Sequence, residues 1–252
     1  MSINRRDILT GIAATAPAIW IAAANEKSAL AQSSDPHAAA AKGAVASAFA
    51  GKHAVVPLPF DPKKLNGISE HMIVSHHDNN YAGAVKNLNK VEENLAAVSK
   101  DTPGFVVSGL KERELTFTNS AILHQHYFGN LGGNGKASGA VEKKLAGSYG
   151  SLAHWEENFR AVGNSLGGGS GWAIVDFNFY TGDLRTYWAS GHSQALSFGA
   201  PLLVMDMYEH AYAIDFGAAA GKYIDAFFQN INWDEVNRRL ERAEKAGAAL
   251  RA

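Results

Sequence analysis

The chain has 252 residues, of which 46% are hydrophobic and 19% are charged, a composition typical of a globular protein. Its 23 basic and 24 acidic residues leave a formal net charge of −1, so the charge balance does not indicate nucleic acid or an anionic membrane as a partner. The absence of cysteine excludes disulfides, thiolate metal sites and cysteine nucleophiles. Any bound metal must therefore be held by imidazole and carboxylate groups, which favour iron, manganese, zinc or copper.

The N-terminal residues 1–31 are typical of an export signal. Arg5 and Arg6 precede a weakly apolar stretch at residues 11–24, which is too short for a membrane span. The paired arginines resemble a twin-arginine signal, which predicts a periplasmic or secreted protein. Cleavage after Ala31 and an uncleaved amphipathic helix are both open alternatives. Residues 32–54 are rich in alanine, glycine and serine, and we interpret them as a linker.

Residues 55–138 are predicted to form a helical hairpin. Ser69 is a suitable cap for a long first helix, whose apolar positions recur mostly at three- and four-residue steps. These positions are Val74, Tyr81, Val85, Leu88, Val91, Leu95 and Val98. A turn at residues 101–104 separates it from a second helix predicted over residues 114–130.

Residues 139–245 are predicted to form an α/β domain, followed by a tail at residues 246–252. Helical residues 141–162 are interrupted near residues 147–150. Three strands follow, and their predicted bounds are residues 172–180, 184–190 and 202–205. Helices resume at residue 209. The predicted fold is therefore α+β: an N-terminal helical hairpin followed by an α/β domain with a small three-stranded antiparallel sheet.

Four side chains are candidate metal ligands. Asp206 and His210 are four residues apart where an apolar strand ends, so they can converge on one ion, although such a pair can equally form a surface hydrogen bond. His76 and His126 are placed on the two helices of the hairpin. A single histidine on an apolar helix face is more often a core residue, but two packed helices can bring both imidazoles into one interior.

Several motifs, in order over residues 58–240, resemble the iron/manganese superoxide dismutase family. The first helix contains His76-His77-Asp78, and the second contains Phe117-Thr118-Asn119 followed by His126 and Phe128. The strand motif Gly169-Ser170-Gly171-Trp172 and the later Asn232-Trp233 also match. The most specific match is Asp206-Met207-Tyr208-Glu209-His210-Ala211-Tyr212.

The resemblance implies a fold, a ligand set and an activity. It places the ligands of one iron or manganese ion per chain on His76, His126, Asp206 and His210, with His76 chosen over His77 by the ungapped match. The implied reaction converts superoxide to oxygen and hydrogen peroxide. The choice between iron and manganese stays open.

The resemblance also implies partners around the metal. Family members carry a glutamine that bonds the solvent beside the ion, either on the second helix, where this chain has Ile122, or after the second strand, where it has His192. His192 is therefore our candidate for that role, with an exposed loop histidine as the alternative. Trp172 is expected to pack beside the metal or to be ordinary core.

Several positions depart from the family pattern. The histidine and tyrosine that follow the first ligand at one and two turns are Asn80 and Ala84 here, and the family tryptophan before the signature glutamate is Tyr208. Ala213 replaces a tyrosine that pairs across the family dimer. Glu209, which reaches the other subunit's ligand histidine in the family, is retained, so we expect a homodimer, with a tetramer left open.

These departures leave two functions to separate. The first is a superoxide dismutase with slower proton delivery and intact metal binding. The second is a metal-binding protein on the same scaffold with little or no dismutase activity, which the loss at residues 80 and 84 favours. A purely structural exported protein is disfavoured by the four ligands. Zinc-type hydrolysis is disfavoured because four protein ligands leave little room on the ion for substrate together with water.

Overall fold

The first half of the fold is a helical hairpin. The computed structural model describes residues 46–251. Helix α1 (Glu70–Ser75) continues through a π-helical segment (His76–Tyr81) into α2 (Ala82–Ala96). The predicted cap is confirmed, because the Ser69 hydroxyl accepts a hydrogen bond from the Met72 amide at 3.0 Å.

The second helix of the hairpin, α3 (Gly104–Gly129), begins ten residues before the predicted start at residue 114. The prediction was wrong because it followed buried periodicity, and the buried positions of α3 begin only at Ser120. The early turns are exposed, as Phe105 illustrates. Pro103 precedes the first helical residue, so the chain enters α3 directly from the predicted turn.

The second half contains a three-stranded sheet between helices. Helices α4 (Gly139–Tyr149) and α5 (Leu152–Leu166) precede the strands β1 (Trp172–Asn178), β2 (Leu184–Ala189) and β3 (Gly199–Asp206). The strands are antiparallel in the order β2-β1-β3, which confirms the predicted α+β fold. Helix α5 packs against β1 and β2, whereas α3 packs against β3.

Strand β3 starts before its predicted position at residue 202. Pro201 made an earlier start improbable, because proline cannot donate to a strand ladder. It is accommodated because β3 lies at the edge of the sheet, and Pro201 pairs with Asp176 next to a β-bulge. At the other end of β3, Asp206 is paired with Trp172.

Three helices complete the chain: α6 (Ala213–Phe216), α7 (Ala220–Gln229) and α8 (Trp233–Arg251). Helix α8 continues through most of the segment predicted as a tail at residues 246–252. The predicted signal at residues 1–31 and the first part of the linker at residues 32–54 lie outside the described residues. Within residues 46–251, no helix is long and apolar enough to cross a membrane.

Candidate metal centre

Four side chains from four separate elements converge on one buried point. His76 is the first residue of the π segment, His124 lies on α3, Asp206 ends β3, and His210 lies in a short 3₁₀ turn (Glu209–Ala211). The Nε2 atoms of the three histidines lie 3.1, 3.5 and 3.3 Å from Asp206 Oδ2, in that order. All four potential ligand atoms lie within 4.8 Å of one another.

These atoms have the environment expected of metal ligands. Nε2 of each histidine and Oδ2 of Asp206 are buried and make no hydrogen bond within the described part of the chain. A single buried polar atom without a partner already costs free energy, so four around one point would be strongly destabilising unless a cation binds them. Nitrogen and oxygen donors of this kind fit iron or manganese.

Hydrogen bonds to nearby backbone groups orient two of the cluster side chains, His124 and Asp206. Nδ1 of His124 donates to the Ser120 carbonyl at 2.7 Å, which leaves the Nε2 lone pair free to bind a metal. The Tyr208 amide donates to Asp206 Oδ1 at 2.8 Å and so holds the carboxylate with Oδ2 towards the histidines. Both hydrogen bonds come from residues close in sequence to the ligand that they orient.

The protonation states also suit metal binding. Burial lowers the pKa of His124 to about 3, and it lowers the pKa of His76 as well, so both imidazoles are neutral at physiological pH. Burial alone would raise the pKa of Asp206, but its interactions with His210 and His76 outweigh burial and hold that pKa below its ordinary value. The cluster therefore presents lone pairs and one negative charge.

The structure does not place His126 in the cluster, which corrects the predicted ligand set. Residues two apart on an α-helix point in nearly opposite directions, about 200° apart. His126 faces away from the cluster, donates from Nδ1 to the Ile122 carbonyl at 2.9 Å, and lies near Arg239. Burial lowers its pKa to about 4.

The sequence did contain a signal for His124. The buried residues of α3 fall at helical spacing, and His124 is one of them: Ser120, Leu123, His124, Tyr127 and Phe128. The resemblance of the second helix placed the ligand on His126, two positions beyond the histidine that the structure brings into the cluster. The same two-residue correction applies to the family glutamine on the second helix. Its equivalent would be Ser120, one turn before the cluster histidine His124, and not Ile122, which is exposed.

His192 lies at the edge of the cluster. Its Nδ1 accepts a hydrogen bond from the Trp172 indole at 3.0 Å, so the neutral imidazole carries its proton on Nε2. Its ring stacks on Tyr208 with centroids 4.8 Å apart, and lies 6.1 Å from the His124 ring. Asn119 donates to the His192 carbonyl at 2.7 Å and so ties this loop to α3.

Trp172 and Tyr208 form part of the wall around the ligands. The buried Trp172 ring meets the His124 ring edge-on at 5.0 Å, and Tyr208 stacks on His210 at 5.2 Å. Asn80 is half-buried, Ala84 is buried, and Glu209 is exposed beside His210. The structure therefore places the aromatic residues against the ligands and leaves Glu209 at the surface.

The fold and the site together define a class: a protein with a candidate metal site whose histidine and aspartate atoms come from a helical hairpin and from the end of an antiparallel sheet. Comparison with known proteins identifies the family. The family model described as iron/manganese superoxide dismutases, C-terminal domain, matches residues 137–239.

Full-length relatives agree with this match. The chain is 46% identical to an iron superoxide dismutase of Cupriavidus metallidurans over 74% of this chain and 95% of the relative. It is 36% identical to an iron superoxide dismutase of Aquifex aeolicus, over 80% of this chain and 98% of the relative. It is 32% identical to a manganese superoxide dismutase of Halobacterium salinarum, over 74% of this chain and 94% of the relative. The chain belongs to the iron/manganese superoxide dismutase family.

Proposed function

We propose that this protein converts superoxide to oxygen and hydrogen peroxide at one iron or manganese ion per chain. The ligands would be His76, His124, Asp206 and His210. The observation that carries the proposal is the convergence of four buried, unpaired ligand atoms in a chain of this family. The relatives' names include both metals, so the choice between them is left open.

The ligand set suits an anionic substrate. Three neutral imidazoles and one carboxylate contribute a single negative charge, so a divalent or trivalent ion keeps a positive charge at the site. When bound, such an ion supplies one-electron redox chemistry, which allows it to oxidise one superoxide and reduce another. The residues around it determine access and the supply of protons.

Access is expected from the side of His210. Its side chain is 28% exposed, whereas those of His76 and His124 are 0% and 2% exposed. Tyr208, which stacks on His210, is itself half-buried and forms the edge of this opening. A diatomic anion would therefore approach past Tyr208 and His210.

The formation of hydrogen peroxide needs two protons, and His192 can hold one beside the site. The indole of Trp172 occupies Nδ1 of His192 and so keeps a proton on Nε2. Burial lowers the pKa of His192, so the ring is a neutral hydrogen-bond donor at physiological pH. The stacking on Tyr208 and the bond from Asn119 fix its position. We infer that His192 orients solvent at the site.

The second candidate function is metal binding with little dismutation. Asn80 and Ala84 favour it, because they replace the histidine and tyrosine that the family pattern has at these positions. An alanine side chain cannot relay a proton. Proton delivery would then depend on His192 and on solvent.

Two measurements on the purified protein separate these functions. Metal analysis by mass spectrometry should find close to one iron or manganese per chain, and superoxide consumption should be catalytic. His124→Ala should lose both metal and activity, and His126→Ala is the matched control that should keep both. Bound metal without activity would support the second candidate, and absence of a metal would contradict both.

We also propose a homodimer and export. Exposed Glu209 next to the partly exposed His210 supports the dimer, because the family pattern uses this glutamate between subunits. Light scattering should give twice the chain mass, and Glu209→Ala should shift the equilibrium towards monomer. For export, the support is the pattern at residues 1–31, and replacing Arg5 and Arg6 by lysine should leave the protein in the cytoplasm.

A further inference from the structure

A cavity of about 400 Å³ lies on the side of α3 that faces away from the metal ligands. Its walls come from the extended segment at residues 56–59, the C-terminal turn of α3 and one face of α8. Tyr81 and Phe128 separate it from the cluster. The Tyr81 ring stacks on His124 at 6.2 Å, and the Phe128 ring lies 5.0 Å from His76.

The cavity is positively charged. Arg238, Arg239 and Arg242 line it together with a single carboxylate, Glu235. Glu235 already accepts hydrogen bonds from Arg238 at 2.6 Å and from Arg239 at 3.0 Å. Three guanidinium groups against one carboxylate leave a formal charge of +2 on these four residues, which favours an anionic ligand.

The arginines have different roles. Arg239 is largely buried and holds the structure together, because it donates to the Leu202 carbonyl at 2.9 Å and the His126 carbonyl at 3.1 Å. Arg238 is exposed at the rim. Arg242 is also exposed and makes no hydrogen bond or salt bridge within residues 46–251. Arg238 and Arg242 are one helical turn apart, so they can approach one ligand together.

Other polar groups in the wall are mainly donors. The Tyr81 hydroxyl accepts from the Val56 amide at 3.1 Å, and its own proton has no acceptor among the described residues. The Asn232 side-chain oxygen accepts from the Glu235 amide, and its NH₂ group has no acceptor among residues 46–251. The wall also offers an acceptor at His126, whose Nδ1 donates to the Ile122 carbonyl and leaves Nε2 as an acceptor.

We propose that this cavity binds inorganic phosphate, with Arg238 and Arg242 as its cationic contacts. Guanidinium groups bind phosphate oxygens in a bidentate manner. The monohydrogen form of phosphate also carries one hydroxyl, which can donate to Nε2 of His126, whereas sulfate at neutral pH has no proton to donate. The site is separate from the metal ligands and does not depend on the proposed dismutase activity.

Isothermal titration calorimetry of the metal-loaded protein tests this proposal. Inorganic phosphate should bind at one site per chain, and sulfate should bind more weakly. The double variant Arg238→Gln/Arg242→Gln should weaken phosphate binding at least about tenfold, as expected for two lost charge-assisted contacts. Arg113→Gln, an exposed arginine on α3 outside the cavity wall, is the matched control and should bind as the unmodified chain does.

Three results would overturn the proposal: no phosphate binding, unchanged binding in the double variant, or equal binding of sulfate. Unchanged binding in the double variant would mean that phosphate binds elsewhere, for example at the metal. Circular dichroism should show that the variants are folded, and Arg239 is left intact for that reason. Glycerol 3-phosphate as a second titrant tests the role of the hydroxyl, because its phosphate group is mainly a dianion without a hydroxyl at neutral pH and should bind more weakly than inorganic phosphate.

Discussion

Two carboxylates are buried in the same sheet, but their surroundings shift their pKa values in opposite directions. Asp206 ends β3 and Asp176 lies on β1, and both are almost completely inaccessible to solvent. Asp206 is surrounded by three imidazoles. Asp176 lies opposite Arg185 in the sheet, but the Arg185 side chain pairs with Asp183, and Oδ1 of Asp176 makes no hydrogen bond with a described residue.

The groups around each carboxylate explain its pKa. Burial raises the pKa of Asp176 to about 7, and hydrogen bonds from Tyr187 and the Phe177 backbone oppose this rise only in part. The same burial acts on Asp206, yet the neighbouring histidines hold its pKa below the ordinary value. Burial therefore makes a carboxylate either a proton carrier or a metal ligand, and the neighbouring side chains decide which.

The largest effect is expected from exchanging each carboxylate for its amide. Asp206→Asn removes the negative charge and weakens one ligand of the cluster, so we expect loss of bound metal and of superoxide consumption. Asp176→Asn is the matched control in the same sheet and should keep both. Metal content and activity measured on the two variants check this, and a metal-loaded, active Asp206→Asn protein would contradict the assignment of the site.

A smaller effect is expected from His192. His192→Phe keeps an aromatic ring against Tyr208 but removes the proton on Nε2. We expect metal content to remain near that of the unmodified protein and activity to fall by roughly 10–100-fold, the usual effect of losing a group that supports a metal site. A shift in the absorption spectrum of the metal would accompany it, whereas a purely structural role would leave the spectrum unchanged.

Asp176 should also make stability depend on pH. Its folded pKa of about 7 lies above the ordinary 3.8, so the folded state binds the proton more tightly than the unfolded state does. Stability from this residue is complete below pH 4 and is lost as the pH rises through 7, by up to about 4 kcal/mol. The difference in unfolding free energy between the unmodified protein and Asp176→Asn, measured by urea titration from pH 4 to pH 8, isolates this contribution. A difference that is independent of pH would contradict the assignment.

The smallest effect concerns the partner of Asp176. Tyr187→Phe removes a hydrogen bond that stabilises the charged carboxylate, so the pKa of Asp176 should rise further. A net hydrogen bond contributes about 1 kcal/mol, so the midpoint of the pH dependence should move up by less than about one unit. The same urea titrations detect the shift, and a downward movement would contradict this role for Tyr187.

Much of the fold could be predicted from local patterns. The cap at Ser69 and the turn before β2 are short-range features whose physical basis lies within a few residues. The predicted alternation along β1 was wrong, because Trp172 to Phe177 are all buried and the strand ends at Asn178. The convergence of Asp206 with His210 follows in the same way, because they are four residues apart at the end of a strand. The start of α3 was missed because its first turns bury nothing and so leave no periodic signal.

The sequence by itself determined the fold class, the family and three of the four clustered side chains, because these depend on local spacing and on motifs. Only the tertiary structure decided between His124 and His126, because the rotation of α3 against β3 selects which face of the helix meets Asp206. It also decided the difference between Asp206 and Asp176. Both are single acidic residues in apolar strands, and a carboxylate's proton affinity depends on neighbours that are distant along the chain.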